Sequence, residues 1–204
     1  MLMTEIHVRA FTGSHLRNHV HSIAKLRLDI LEEYPFFEKS DLYQQLQFLE
    51  RYVTCKEAIG ILVFDHSTLV GASMGIPLTQ ERMNIQAPLQ AHFHDIHSFY
   101  YFGESMLLKP YRNRGIGHHF FDMREAHVQL LQKYTHICFL DPLRSDLDHR
   151  KPADYLPVRD FWKKRGYSYH PEITCVLSWK DVDSHLSTSK TLAFWLKKCP
   201  SLPV

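Results

Sequence analysis

The 204-residue chain is poor in the features that mark several common protein classes. Its four cysteines, Cys55, Cys138, Cys175 and Cys199, form no C-x-x-C pair, which excludes a zinc ribbon and a redox dithiol and leaves reduced, mostly buried thiols as the default. No stretch approaches the ~20 apolar residues of a membrane span, and Glu5, His7 and Arg9 break every apolar run near the N-terminus, so a cytoplasmic protein with no membrane partner is expected. Charge of one sign does not accumulate: 24 basic residues are interleaved with 22 acidic ones for a net +2, which argues against a nucleic-acid partner. The G-x-x-x-x-G-K-[ST] phosphate loop is absent, and Gly115-x-Gly117 lacks the third glycine of a dinucleotide fingerprint. A nucleotide triphosphatase and a dehydrogenase are thereby disfavoured.

What is present is ordinary globular composition, 45% hydrophobic and 23% charged, with no shift between halves, so residues 1–204 are expected to form one domain. Alternation from Glu5 to Phe11 predicts a first strand. Ser14 is a plausible N-cap for a helix carrying Leu16, Val20, Ile23, Leu26, Leu28, Ile30 and Leu31, which Tyr34-Pro35 stops. A second helix is expected from Asp41 to about Arg51. Ala58–Phe64 and Leu69–Ile76, joined by a polar turn, predict an antiparallel hairpin. Residues 78–97 are polar and ambiguous, Ser98–Leu108 predicts a long central strand, and Gly115–Tyr134 a helix leading to a buried strand at His136–Leu140. A short helix at Val158–Arg165 capped by Gly166, a strand at Ile173–Trp179, a flexible polar stretch at Asp181–Ser189 and a small terminal helix at Thr191–Lys198 complete the chain.

The informative segment is Leu107-Leu108-Lys109-Pro110-Tyr111-Arg112-Asn113-Arg114-Gly115-Ile116-Gly117-His118, an apolar strand running into a basic, glycine-bearing turn that opens a helix. Amides at such a turn lack intrahelical partners, and the helix dipole favours an anion there. Glycines at 115 and 117 let a phosphate approach the backbone, and Arg112 and Arg114 can add charge-assisted bonds. Taken alone, the same residues also describe a plain loop with two solvated arginines.

The order of motifs decides between these. Arg112-x-x-Gly115-x-Gly117 after a strand resembles the [QR]-x-x-G-x-[GA] signature of the GNAT superfamily of N-acetyltransferases, and Phe161-Trp162-Lys163-Lys164-Arg165-Gly166-Tyr167 resembles that family's later F-Y-x-x-x-G-[FY] sequence. The resemblance spans roughly Glu5 to Trp179. It implies an α/β (α+β) fold with a central mixed, mostly antiparallel sheet of six to seven strands flanked by helices and splayed at the cofactor-binding strand. It also implies acetyl-coenzyme A as co-substrate, an amine acceptor and no metal. The pantetheine arm would pair near Met106 and Leu107, and the turn formed by Arg112, Asn113, Arg114, Gly115, Ile116 and Gly117 would hold the pyrophosphate, with His118 beside it. Where the family often has Val and then Pro two residues on, Leu107 and Lys109 stand, and Pro110 is displaced by one.

For the chemistry, Glu104 resembles the glutamate that several GNAT enzymes use as general base; its other reading is a strand carboxylate facing solvent or a basic neighbour. Trp162 occupies the position of the tyrosine that often serves as general acid, and indole cannot supply that proton. Tyr155 is the nearest hydroxyl donor, as acid, cofactor contact or core-packing residue. His92, His94, His97 and Asp95 lack a recognisable metal-ligand pattern. The loop from Asp141 to Asp154, with Arg144, Asp146, Asp148 and Arg150, either shapes a substrate pocket or merely connects. The apolar terminal helix is expected to dock on the domain, and the chain to be a monomer or homodimer. The rival to an enzyme is a non-catalytic acyl-coenzyme A sensor or interaction module of the same fold.

Overall fold

The computed structural model describes residues 6–145 and 147–199; Glu5 of the expected first strand and Asp146 of the 141–154 loop lie outside them. The strands are β1 (Ile6–Thr12), β2 (Ile59–Asp65), β3 (Thr68–Pro77), β4 (Phe99–Leu107), β5 (His136–Pro142), β6 (Ser168–Lys180) and β7 (Ser187–Lys198). They form one seven-stranded sheet in the order β1-β2-β3-β4-β5-β7-β6, antiparallel throughout except for the β4–β5 pair. The helices are α1 (Val20–Leu31), α2 (Leu42–Thr54), α3 (Met83–His92), α4 (Ile116–Leu131) and α5 (Arg159–Lys164). The β4–α4–β5 unit is the crossover that the strand, glycine turn, helix and strand pattern required.

Alternation along the strands distributes the core. On β2, Ile59, Ile61 and Val63 pack with Phe120, Phe121 and Val128 of α4, whereas Leu62 faces Ile23, Leu49 and Tyr52 of α1 and α2. Asp41 caps α2 by a reciprocal capping box with Gln44, so that helix begins where the sequence placed it and runs three residues further than expected. Residues 83–92, polar and ambiguous in sequence, form α3, which buries Ile85 and Leu89 against Ile173, Cys175 and Leu192.

Three expectations are corrected. Ser14 caps no α-helix: Gly13–His19 is a 3-10 turn without a side-chain cap, and α1 starts only at Val20. The terminal helix at Thr191–Lys198 is instead most of β7, inserted between β5 and β6. An interior strand is buried on both faces and so reads as a continuous apolar run, here Leu192-Ala193-Phe194-Trp195-Leu196, without the alternation that would have betrayed it. Nor is Asp181–Ser189 a loose stretch, since Asp181 is buried and bridges to Glu38 while Ser187–Ser189 already belong to β7.

Trp195 is fully buried, stacked on Phe139 at 6.3 Å and edge-on to Trp162 at 5.2 Å. Trp195→Ala is expected to cost roughly 3–5 kcal/mol, read as a lowered midpoint of urea unfolding. A loss below about 1 kcal/mol would contradict an interior β7.

Candidate functional site

The sheet opens at β4. Only Phe99, Tyr100 and Tyr101 pair with β5, opposite His136, Ile137 and Cys138, so from Phe102 onward one edge of β4 has no strand partner among the described residues. On its other edge β4 follows β3, but Ser73 lies opposite Ser105 and Gly75 opposite Phe102, so Met74 faces both Gly103 and Glu104. This β-bulge resets the alternation, sending Glu104 toward α1 and Ser105 toward α4.

Beyond β4, Lys109–Tyr111 makes a short 3-10 turn that Tyr111 anchors to β2 by donating to Asp65 Oδ2 at 2.6 Å. Asn113 (φ 61°) and Gly115 (φ 81°) are both left-handed. The chain thereby enters α4 with the amides of Asn113, Arg114, Gly115, Ile116 and Gly117 donating to no protein group among the described residues. The space before Gly115 and Gly117 is open, for a Cβ on either would meet no heavy atom within 4 Å. A run of unused donors at a helix N-terminus, free of side-chain bulk, is suited to a diphosphate.

The arginines of the turn differ. Arg114 reaches the Tyr111 ring, 5.6 Å away, whereas Arg112 folds back, donating from Nε to the Leu107 carbonyl at 2.8 Å and pairing through Nη2 with Glu33 at 2.9 Å. The Leu107 carbonyl is therefore already engaged, and Met106 is buried in the core under α1 and α2. His118 lies edge-on to Phe161, 4.9 Å away, in a hollow also lined by Lys164 and Arg165.

On the opposite face, the bulge delivers Glu104 to a polar cluster beneath α1 and α2. Arg27 Nη1 lies 2.5 Å from Glu104 Oε1, with the Arg27 side chain only 3% exposed. Arg27 Nε donates to Gln45, which donates in turn to Ser40 Oγ at 2.6 Å. Glu104 Oε2 is buried and has no hydrogen-bond partner among the described residues, leaving one oxygen of a held carboxylate unspent. Burial raises the carboxyls of Glu38 and Glu81; arginines oppose the rise and the neighbouring Glu104 adds to it. Burial also raises the Tyr52 and Tyr101 phenols far above their usual range, so neither is available as a base near neutrality.

Tyr155 is not brought to Glu104 by any contact among the described residues. Its ring packs edge-on against Tyr34, 4.6 Å away, between the loop before α2 and the loop before α5, and burial raises its phenol above the usual value. Trp162 is half-buried and packs against Phe139 and Trp195 of the core. His92 bonds to the Pro88 carbonyl, and among the described residues no three His, Cys, Asp or Glu side chains converge as a metal would need.

A clasp closes the α1–α2 loop over this face. Lys39 N donates to the Lys180 carbonyl, Val182 N to that of Phe37, and Arg144 to those of Pro35 and Phe36. Asp181 gathers Lys190 at 3.0 Å and Arg150 at 3.1 Å, and Arg150 also grips Asp148. Arg144 and Arg150 of the 141–154 loop are thus tied to the loop between α1 and α2 and to the turn that follows β6. Bonds from Arg150 lower the Asp148 carboxyl to about 2; burial works to raise Asp181, but Lys190 and Arg150 prevail and lower it. Both depressed carboxyls stabilise the clasp above the unfolded value of about 3.9 and lose that contribution as pH falls toward the folded values. Asp181→Asn at neutral pH is expected to speed hydrogen exchange at the Lys39 and Val182 amides while leaving β2 and β3 protected. Unchanged exchange at those two amides would show that the charges do not hold the loop.

Sequence reasoning passed over Arg27, Arg124 and Ser105. The signal was there: Arg27 and Arg124 sit mid-stripe on apolar helical faces, between Ile23 and Leu31 and between Phe120 and Val128, where a charge must be buried.

No protein-family model and no curated protein matches the chain by sequence. Solved structures do match by shape. An acetyltransferase of the GNAT family from Streptococcus pneumoniae aligns over 96% of this chain and 100% of its own with a TM-score of 0.59 at 12% identity. A ribosomal-protein-alanine N-acetyltransferase from Brucella melitensis aligns over 94% and 99% with a TM-score of 0.61 at 13% identity. An N-acetyltransferase from Staphylococcus aureus Mu50 aligns over 96% and 99% with a TM-score of 0.61 at 9% identity. By its architecture this chain is a GNAT-fold protein.

Proposed function

We propose that the chain is a single-domain, acetyl-coenzyme A-dependent N-acetyltransferase that modifies an amine of a small molecule or peptide by direct attack. The observation that carries this reading is the row of amides from Asn113 to Gly117, unused among the described residues, with open space before Gly115 and Gly117 at the mouth of α4 and an edge of β4 that no described strand covers. The diphosphate would rest on those amides, with Arg114 and His118 nearby, and the pantetheine arm would follow the β4 edge past Leu107 and Met106 toward the bulge. The unpaired state of all four cysteines fits a reducing, cytoplasmic setting.

The acceptor would approach from the α1–α2 face, where Glu104 waits. An alkylamine with a pKa of about 10.4 is almost wholly protonated at neutral pH and cannot attack until it sheds a proton. The Glu104 carboxylate, whose side chain is partly exposed, takes that proton, directly or through water. The nitrogen lone pair then forms a C–N bond as the carbonyl π pair moves to oxygen; the nitrogen, now cationic, gives up a second proton to the departing sulfur or to water as collapse restores the carbonyl and breaks the C–S bond. The departing thiolate, with an ordinary pKa of about 8.5, can be protonated by water or by the proton taken from the amine, so Trp162 in the tyrosine position does not stop the reaction.

Trp162, which stands in the tyrosine position and has no proton to give the thiolate, also suits a second reading, a sensor that binds acyl-coenzyme A without turning it over. Calorimetry with acetyl-coenzyme A, followed by thiol release across a panel of amines, separates the two. Binding with release supports the enzyme, binding without release on any amine supports the sensor, and no binding removes both.

A further inference from the structure

Arg124 of α4 is 1% exposed and makes no ion pair among the described residues. A buried cation without a counter-ion is costly, and what sustains this one is a set of hydrogen bonds concentrated at the β4 bulge. Nη1 donates to the Met74 carbonyl at 3.1 Å, opposite the bulge; Nη2 donates to Ser105 Oγ at 3.0 Å; Nε donates to the Phe120 carbonyl at 3.2 Å. The guanidinium also lies over the Phe102 ring, 4.1 Å away.

Hydrogen-bond accounting fixes where the Ser105 proton goes. Arginine only donates, so Ser105 Oγ accepts from Arg124. Ser105 Oγ is also 3.0 Å from Ser73 Oγ, and Ser73 is fully buried with no other side-chain partner among the described residues. Were Ser105 the donor in that pair, the Ser73 proton would be stranded in the core at a cost of about 1–3 kcal/mol. Ser73 therefore donates, and Ser105 accepts twice. Its own proton remains for the cleft, where Ser105 is exposed on the stretch of β4 that no second strand covers. A hydroxyl accepting two bonds, one from a buried cation, is a polarised donor.

We propose that Ser105 donates a hydrogen bond to the acyl carbonyl oxygen as attack by the amine charges it, and that Arg124 is the positioning residue that aims and polarises this hydroxyl. The proposal rests on the acetyltransferase reading. No proton changes owner: the π pair of the thioester carbonyl moves to oxygen and back, and the Ser105 O–H follows its charge. The bond strengthens only as charge develops, so its effect falls on turnover rather than on binding.

The test compares wild type with Ser105→Ala and Ser105→Thr by thiol release, acetyl-coenzyme A calorimetry and thermal melting. Ser105→Ala is expected to lower kcat roughly a hundredfold, with acetyl-coenzyme A affinity within about threefold and a lowered melting temperature, because the Ser73 hydroxyl and Arg124 Nη2 lose their acceptor. Ser105→Thr, which keeps the hydroxyl, is expected to retain most of the rate. Arg124→Lys should fall between them; since Arg124 is a core residue whose replacement also disturbs packing, the Ser105 pair decides. The assignment is overturned if Ser105→Ala keeps kcat within about threefold, or if Ala and Thr lose rate and affinity together, the mark of a merely structural serine. A wild-type chain that neither binds acetyl-coenzyme A nor releases thiol overturns the acetyltransferase reading itself, whereas full turnover by Ser105→Ala overturns this assignment alone.

Discussion

Replacing Glu104 with glutamine is expected to lower turnover at neutral pH by roughly 10²–10⁴-fold while acetyl-coenzyme A still binds, because general-base assistance of that size is lost and the phosphate cradle is untouched. Glutamine suits the comparison. Its carbonyl oxygen can take the place of Glu104 Oε1 beside Arg27 Nη1, so the buried guanidinium keeps a polar neighbour and the cluster beneath α1 and α2 stays filled. What disappears is the capacity of the carboxylate to take a proton. The pH profile separates this from a packing defect: as pH climbs toward the amine's own value of about 10.4, the acceptor deprotonates without help, and the variant should recover a growing share of the wild-type rate. A defect that does not diminish with rising pH would assign Glu104 to structure, and an unchanged rate at neutral pH would place the base elsewhere.

The proposed pairing of an acid-accepting carboxylate and a charge-stabilising hydroxyl depends on one irregularity, the two-for-one step opposite Met74. Without it strict alternation would put Glu104 on the same face as Phe102, which packs with α4, and the carboxylate would miss Arg27. Nothing in the order Gly103-Glu104-Ser105-Met106 announces a bulge beyond the glycine itself. The sequence did reveal the strand, turn and helix around it, because a period of two gives way at Gly115 to a period near 3.6, and both signals are local. It concealed whatever depends on distant partners. The apolar run of β7 looks helical until β5 and β6 are seen on either side, and Asp181 looks like a loop residue until Arg144, Arg150 and Lys190 close around it. The arginines of α1 and α4 stood in plain view. Their meaning did not, since a charge on an apolar stripe shows that a partner must exist but not which strand supplies it.

Gly117→Leu is expected to abolish acetyl-coenzyme A binding, weakening it by at least about a hundredfold, without lowering stability. The two glycines of the turn differ in what they require. Gly115 has φ 81°, where any L side chain is strained, so a substitution there confounds folding with binding. Gly117 is in the first turn of α4 with ordinary helical backbone, and a Cβ there meets nothing within 4 Å. Leucine is a better helix former than glycine, so the ligand-free variant should melt at the same temperature as wild type or slightly above it. The added side chain would occupy the space before the free amides, where a diphosphate has to sit to accept from them. Calorimetry and thermal melting on the same preparation should therefore move apart, affinity lost and stability kept. Retained affinity would mean that the cofactor does not use these amides, and the cradle would have to be sought elsewhere along the open edge of β4.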